Sequence, residues 1–489
     1  MSRIFPSHKT KIVCTIGPAS DDVAILARML RAGMNVARLN LAHGEPDSHA
    51  ATIRRLREAT QQTGLSVAIL ADLPGPKLRI GRIAPDPLRL HHGHLLTLTT
   101  EDAAGNAERI SVPEFAELPR AVRTGESIFL NDGFIQLKVL ETTDTEVRCR
   151  VTVGGELRSH KGLNIPHLHI RLPAFTDRDQ ALLAFACEQE VDMVSISFVE
   201  NADDIERVRR ETEALGAAPY LIAKIERADA LDHVDEILAV ADGCMVARGD
   251  LGVETPIETI ALVQKRLIRK ANRLHKPVIT ATQMLESMVD HSRPTRAEAT
   301  DVANAVLDGT DAVMLSEESA IGAYPVQAVQ MLGRIARQAE TARSEPPPME
   351  SLHANADIHQ RIEEVVSLNV VTAAERLRAP YVFTPTETGA TSRRIARFHL
   401  PAWTIALSRH RSTCQRLLLS YGVYPVFIGE DERDWQEIAL DWMKTHKLYG
   451  GPLIFTQGPS RGHPGTTNRV EILPGVEKSL NQTHLPTGE

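Results

Sequence analysis

A lysine and two acids carry the first chemical signal in this chain. Lys224 and Glu226 lie two residues apart at the end of an apolar run, Tyr220-Leu-Ile-Ala-Lys-Ile-Glu226, so on an extended strand their side chains share one face. The next apolar run ends in Met245-Val-Ala-Arg-Gly-Asp-Leu-Gly252 and brings a second carboxylate, Asp250, to a strand end beside Gly249, whose backbone amide is open to a ligand. Two carboxylates at neighbouring strand ends suit a hard divalent cation such as Mg2+ (or Mn2+), which leaves its other positions to substrate oxygens and water. The ammonium of Lys224 beside them would stabilise a transferring phosphoryl group or a developing enolate. Arg38 and Asn40 alternate in Val36-Ala-Arg-Leu-Asn-Leu-Ala-His-Gly44, where a guanidinium suits phosphate recognition and His43 reads as a polar rim residue. Each of these residues alone fits a structural salt bridge at a rim; their convergence favours a site.

Convergence requires parallel strands whose ends meet. Short apolar runs alternate with amphipathic helical segments, and eight strands are expected at residues 12–18, 35–41, 67–72, 192–198, 220–226, 243–250, 277–283 and 312–318. The alternation predicts an α/β fold, a parallel (β/α)8 TIM barrel with its active site at the C-terminal strand ends. Arg38, Asn40, Asp72, Ser197, Lys224, Glu226, Arg248, Asp250, Thr282 and Ser316 all fall at those ends. About a hundred residues separate the third strand from the fourth, far beyond ordinary loop length. Their β-type runs at 94–99, 127–130, 134–139 and 147–153, punctuated by Asn131-Asp-Gly133 and Gly154-Gly155, predict an inserted small β-barrel placed as a lid. Glu345-Pro-Pro-Pro348 marks a linker; a helix at 358–377 and strands at 381–384, 403–407, 423–428, 453–456 and 469–473 then predict an open α/β domain. The expected division is 1–73 and 173–345 for the barrel, 74–172 for the lid and 346–489 for the C-terminal domain.

Composition narrows the function classes. A chain of 489 residues exceeds one core, and 43% hydrophobic with 24% charged residues fits a globular protein. A net charge of −8 argues against nucleic acid as the main partner. Cys14, Cys149, Cys187, Cys244 and Cys414 are scattered without a C-x-x-C pair, which favours a reducing compartment over a disulfide framework. The opening residues lack a secretion-signal core and no apolar run reaches transmembrane length, so the expectation is a soluble cytoplasmic protein that does not engage membranes.

Longer motifs resemble one family. Thr10-Lys-Ile-Val-Cys-Thr-Ile-Gly-Pro18, Arg38-Leu-Asn40, Gly75-Pro76, the 245–252 segment, Lys276-Pro-Val-Ile-Thr-Ala-Thr-Gln-Met-Leu-Glu-Ser-Met288, Arg293-Pro-Thr-Arg-Ala-Glu298 and Asp301-Val-Ala-Asn-Ala-Val-Leu-Asp-Gly309 are similar to pyruvate kinase motifs of the bacterial type, over essentially the whole chain. The resemblance implies Mg-dependent phosphoryl transfer from phosphoenolpyruvate to ADP, giving pyruvate and ATP. It implies Glu226 and Asp250 as metal ligands, and Lys224, Thr282 and Arg38 as catalytic. Substrate contacts would come from Arg38, Lys224, Gly249, Asp250, Thr282 and Ser316; nucleotide contacts from Arg79, Lys161, Asn40, His43 and Pro18; and Asp132 would help the lid close. Thr282 is placed near the enolate carbon, as proton donor or as the group that orders a water. A homotetramer is implied as well. The competing enzyme class is a metal-dependent enolate lyase or aldolase on a similar barrel, which would need neither Arg79 nor Lys161.

Two departures from the family pattern add detail. Many members hold K+ through Asn, Ser, Asp and Thr oxygens; here the first and third match Asn40 and Asp72, but the others are Ala42 and Leu73. Lys77 stands where K+-dependent members carry Glu, so a tethered ammonium near Asn40 and Asp72 would replace the ion, and the chain resembles the K+-independent members. In the C-terminal domain, Thr384-Pro-Thr-Glu-Thr-Gly-Ala-Thr-Ser-Arg-Arg394 follows a strand and opens a helix, a phosphate cradle similar to the family's effector loop. Its candidates are Thr386, Thr388, Gly389, Thr391 and Ser392, with the 456–468 loop closing over the same ligand. A sugar monophosphate is the expected effector, because that second loop lacks the Trp-Arg pair of fructose-bisphosphate binders.

Overall fold

The computed structural model describes residues 5–131, 133–166, 173–342, 358–458 and 467–475. Asp132, the linker at 345–348 and residues 459–466 of the second effector loop lie outside them. Eight parallel strands close into a barrel: β1 (Lys11–Thr15), β2 (Val36–Asn40), β3 (Ala68–Asp72), β4 (Met193–Ile196), β5 (Tyr220–Ile225), β6 (Gly243–Ala247), β7 (Val278–Ala281) and β8 (Ala312–Leu315). β1 pairs with both β2 and β8, which completes the ring. Val13, Leu70, Ile222, Met245 and Ile279 fill its interior, while a larger apolar layer packs the strands against the surrounding helices. Sequence dictates the helix starts: Thr176, Asn201 and Thr295 each accept a backbone N–H within the first turn, and an acid three residues later accepts the cap residue's own N–H in return.

The strands are shorter at their C-terminal ends than their apolar runs suggest. The sixth is the telling case. It stops at Ala247, and Arg248–Glu254 is a helix, so Asp250 sits in a helical first turn and not on a strand end. The Arg248 guanidinium turns back to bond the Ala281 and Thr282 carbonyls at the end of β7, at 3.2 and 2.6 Å, and Leu251 is fully buried.

The insertion after β3 forms a six-stranded sheet and a two-stranded sheet around one apolar core, which includes Leu96, Leu98, Ile128, Leu137, Val147, Cys149 and Val151. Isolated bridges at Arg79–Gly162 and Ile83–Gly105 fasten the entering chain to the rest of the insertion.

The C-terminal domain is built on a five-stranded sheet. Its strands Tyr381–Pro385, Trp403–Ser408, Val423–Phe427 and Leu453–Gln457 are parallel, with Arg469–Leu473 antiparallel at the edge. It docks on the barrel floor, the end opposite the C-terminal strand ends. Leu418 and Leu419 pack among the interior barrel side chains, and Lys11 donates to the Val423 carbonyl at 2.7 Å. That docking leaves the upper face free.

Candidate functional site

At the upper face, Lys224 is the centre of a buried charge network. Its ammonium lies 2.8 Å from Glu226, 3.4 Å from Asp72 and 2.7 Å from the Ser197 hydroxyl. Strand alternation places Lys224 and Glu226 side by side, as their spacing predicts. Burial opposes the charge on Lys224, but Asp72 and Glu226 outweigh it and hold the ammonium above its ordinary range. Asp72 is 2% exposed; it accepts from Arg38 Nε at 2.9 Å and from Ser195 at 2.6 Å. Burial alone would push its carboxyl up, yet Lys224 and Arg38 keep it below the usual range. Arg38 also donates to Thr15 at 2.8 Å, which fixes the guanidinium over the mouth of the barrel.

Glu226 receives the Phe198 N–H at 2.9 Å on its second oxygen. Burial, and after it the charge of Asp250, push Glu226 up against the pull of Lys224. Glu226 pairs with Lys224 and Asp250 with Lys77, and these are the two carboxylates that would hold a divalent cation. No third His, Cys, Asp or Glu completes a metal cluster among the described residues, so the remaining positions would fall to substrate oxygens and water, as Mg2+ tolerates.

Lys77 pairs with Asp250 at 3.2 Å. The sequence places this ammonium near Asn40 and Asp72, whereas its ion pair is with the Asp250 carboxylate. The oxygens that would serve an ion have protein donors: Leu73 O accepts from Ser197 at 2.7 Å, and Asn40 Oδ1 from the Ala42 N–H at 3.2 Å. Gly75, at the start of the lid, has φ +63°, and a Cβ there would meet Phe198 and Ser197 at 3.0–3.1 Å. Its N–H bonds Asp179 at 3.0 Å, which pins the turn that leads to Lys77.

Thr282 is held by the residues beside it. The Gly249 N–H donates to its hydroxyl at 2.9 Å, and Thr282 and Gln283 both adopt left-handed backbone, at φ +66° and +52°. Arg248 stabilises this turn from one side, and Asp301 fixes Arg248 at 2.8 Å. Asp301 belongs to the Arg296–Asp308 helix, capped by Thr295 and Glu298 of the 293–298 motif. Sequence alone does not assign the positioning roles of Ser195, Phe198 and Asp301. Only Asp301 carries a signal there, since it opens one of the family motifs.

The nucleotide candidates surround this network. Arg79 and Lys161 lie on adjoining lid segments: Arg79 bridges Gly162 and donates to His160 O at 3.0 Å, and the Ile80 N–H bonds Lys161 O at 3.0 Å. Burial, and then the charges of Arg79, Lys77, Arg38 and Arg178, lower the pKa of His43 and favour its neutral ring. Pro18 follows β1, and Ser316 follows β8, where its N–H bonds Glu318 at 2.7 Å. In the C-terminal loop, Thr386 accepts from the Gly389 N–H at 2.8 Å, Ser392 is buried against Thr384 at 2.8 Å, and Thr391 meets Thr467 of the second loop at 2.6 Å. Thr388 accepts from the Ala390 N–H at 3.4 Å. All five cysteines are free thiols. Among the described residues, no helix is long and apolar enough to cross a membrane.

A closed barrel with buried cations and carboxylates at its C-terminal strand ends defines the class as a barrel enzyme with a charged site at those ends. Comparison with known proteins specifies it. The "Pyruvate kinase, barrel domain" family matches residues 7–329 and the "Pyruvate kinase, alpha/beta domain" family residues 364–473. The chain is 48% identical over 471 residues to a pyruvate kinase of Thermococcus litoralis, covering 96% of this chain and 99% of that one. It is 41% identical over 474 residues to one from Geobacillus stearothermophilus, covering 95% and 80%, and 37% identical over 471 residues to one from Clostridium acetobutylicum, covering 95% and 99%. The chain belongs to the pyruvate kinase family.

Proposed function

We propose that the chain transfers the phosphoryl group of phosphoenolpyruvate to ADP, giving ATP and an enolate that takes a proton at its methylene carbon to become pyruvate. The observation that carries this is the Lys224 network, an ammonium shared by Glu226, Asp72 and Ser197 at the strand ends. Glu226 and Asp250 would hold Mg2+ (or Mn2+), which when bound supplies positive charge to phosphoryl and enolate oxygens. Lys224 neutralises the group in flight, and Arg38 orients its phosphate oxygens. Ser316 contacts the substrate, and Thr282 donates a proton or orders the water that does; the Gly249 amide, expected to be open to the substrate, is instead given to the Thr282 hydroxyl and orients it. Arg79 and Lys161 on the lid, with Asn40, His43 and Pro18 at the rim, receive the nucleotide.

Lys77 replaces K+ in this scheme. The engagement of Leu73 O, Asn40 Oδ1 and Asp72 by protein donors supports that role. The 384–392 loop takes a sugar monophosphate as activator, and the enzyme works in the cytoplasm as a homotetramer. Pyruvate formation followed with and without ADP tests the reaction: dependence on ADP is expected, and equal turnover without it would instead favour a lyase. Titrating glucose 6-phosphate, ribose 5-phosphate, AMP and fructose 1,6-bisphosphate at low phosphoenolpyruvate tests the effector, with activation expected from a monophosphate sugar.

A further inference from the structure

The two carboxylates assigned to the divalent cation stand on separate elements. Glu226 follows β5, whereas Asp250 lies one turn before the last residue of the Arg248–Glu254 helix. A cation held by both needs the two elements fixed against one another, and groups behind the ligands usually do this. The Glu254 side chain spans the gap. It ends the helix that carries Asp250, and its carboxyl accepts the N–H of Ala228, two residues beyond Glu226.

The segment after Glu226 is held from a second side. Arg227, buried but for 11% of its side chain, pairs with Glu200 at 2.8 Å and with Asp229 at 3.4 Å. Glu200 lies two residues after Phe198, whose left-handed backbone at φ +55° turns its N–H onto Glu226 at 2.9 Å. Arg227, Glu254 and Phe198 line a crevice faced on its far side by Leu78, Leu163 and Ile165 of the lid. Burial, with the charges of Asp229 and Asp250, raises the Glu254 carboxyl to about 7 against the pull of Arg227. Near neutral pH its acid and carboxylate forms are therefore both populated, and either one offers the Ala228 N–H an acceptor oxygen. What Glu254 supplies is the bond more than the charge.

We propose that Glu254 is a positioning residue for the divalent cation, its bond to the Ala228 N–H setting the Asp250 helix against the Glu226 segment. The inference rests on Glu226 and Asp250 as the metal ligands. Glu254 is not itself a ligand in this role; it acts through the two carboxylates that are.

The test uses the full chain and Mn2+ alone, with binding followed by loss of the free ion's electron paramagnetic resonance signal. Glu254→Gln keeps an acceptor at full reach and removes the charge; Glu254→Asp keeps the charge and draws the acceptor back by one methylene. Glu254→Asp should weaken Mn2+ about tenfold, while Glu254→Gln should stay within about threefold of the wild type. In the pyruvate assay Glu254→Asp should raise the Mg2+ concentration for half-maximal rate by a similar factor, with kcat at saturating Mg2+ within about threefold. A merely structural defect would instead lower kcat at every Mg2+ concentration. Mn2+ binding unchanged in Glu254→Asp, or a loss in Glu254→Gln as large as in Glu254→Asp, would overturn the proposal, the latter by making the effect one of charge. Asp250→Asn tells the two levels apart. If it weakens Mn2+ binding and Glu254→Asp does not, the positioning role alone fails; if it leaves Mn2+ binding intact, the assignment of the metal ligands fails and the positioning role with it.

Discussion

On the proposed role of Lys77 as the monovalent charge, replacing it with Glu should cost activity that no monovalent salt restores. The Lys77 ammonium lies 3.2 Å from Asp250, with the two side chains 28% and 22% exposed. At an effective dielectric of about 20, that separation gives an attraction of roughly 5 kcal/mol before desolvation and ordering are subtracted. Partial exposure leaves about 1–2 kcal/mol, so Lys77→Gln should lower kcat/KM by about five- to thirtyfold. Lys77→Glu also adds a like charge beside Asp250, and its kcat/KM should fall by about a further tenfold without a monovalent ion. The assay couples pyruvate to NADH oxidation at saturating Mg2+, in tetramethylammonium, Na+ or K+ chloride at one ionic strength. The wild type should turn over alike in all three salts, and Lys77→Glu should stay low in all three, because Ala42 and Leu73 offer no side-chain oxygen to hold an ion. Collapse of the wild type in tetramethylammonium, restored by K+, would refute the reasoning.

Lys224→Met should lower kcat by about a thousandfold in the same assay, because it removes transition-state charge and leaves Asp72 and Glu226 without their shared ammonium. Asp301→Ala should lower kcat by about tenfold with little change in the KM for ADP, since it frees Arg248 to swing away from Thr282; Asp301→Glu should rescue part of the loss, which a merely structural role would not predict. Lys11→Met tests the domain junction. Burial lowers this lysine from 10.5 to about 7 despite Asp311 and Glu340, so between those pH values the unfolded chain binds more protons and stability rises with pH. The penalty is full below pH 7, and a lowering of this size corresponds to at most about 5 kcal/mol. Melting temperatures of the Met variant should lose that rise between about pH 7 and 10.

The barrel was legible because its eight apolar runs and their spacing reflect burial on both faces, and that pattern survives in one dimension. The central C-terminal strands Tyr381–Pro385, Trp403–Ser408 and Leu453–Gln457 were legible for the same reason; Arg469–Leu473, exposed or half-buried throughout, still has the bounds expected of it. Strand ends were harder. Nothing in Met245–Asp250 announces that the chain turns helical at Arg248, because the cause is a guanidinium bonding carbonyls at the end of β7, more than thirty residues away. Lys77 shows the same limit: its chemistry could be read from its type, but its partner, Asp250, depends on how the turn that leads to it is pinned through Gly75 and Asp179.

Charge balance explains why these departures belong together. Three cationic side chains, Arg38, Lys224 and Lys77, face three carboxylates, Asp72, Glu226 and Asp250. The protein's own charges therefore cancel, and a bound divalent cation leaves a surplus of two for an anionic substrate. With an acid at position 77 the same set would fall two charges lower, and a monovalent ion would recover only one of them. On the proposed role of Lys77, the oxygen ligands absent at Ala42 and Leu73 and the ammonium present at Lys77 are one change in two places: the chain would carry the charge that an ion brings, while Leu73 O and Asn40 Oδ1 accept from Ser197 and the Ala42 N–H.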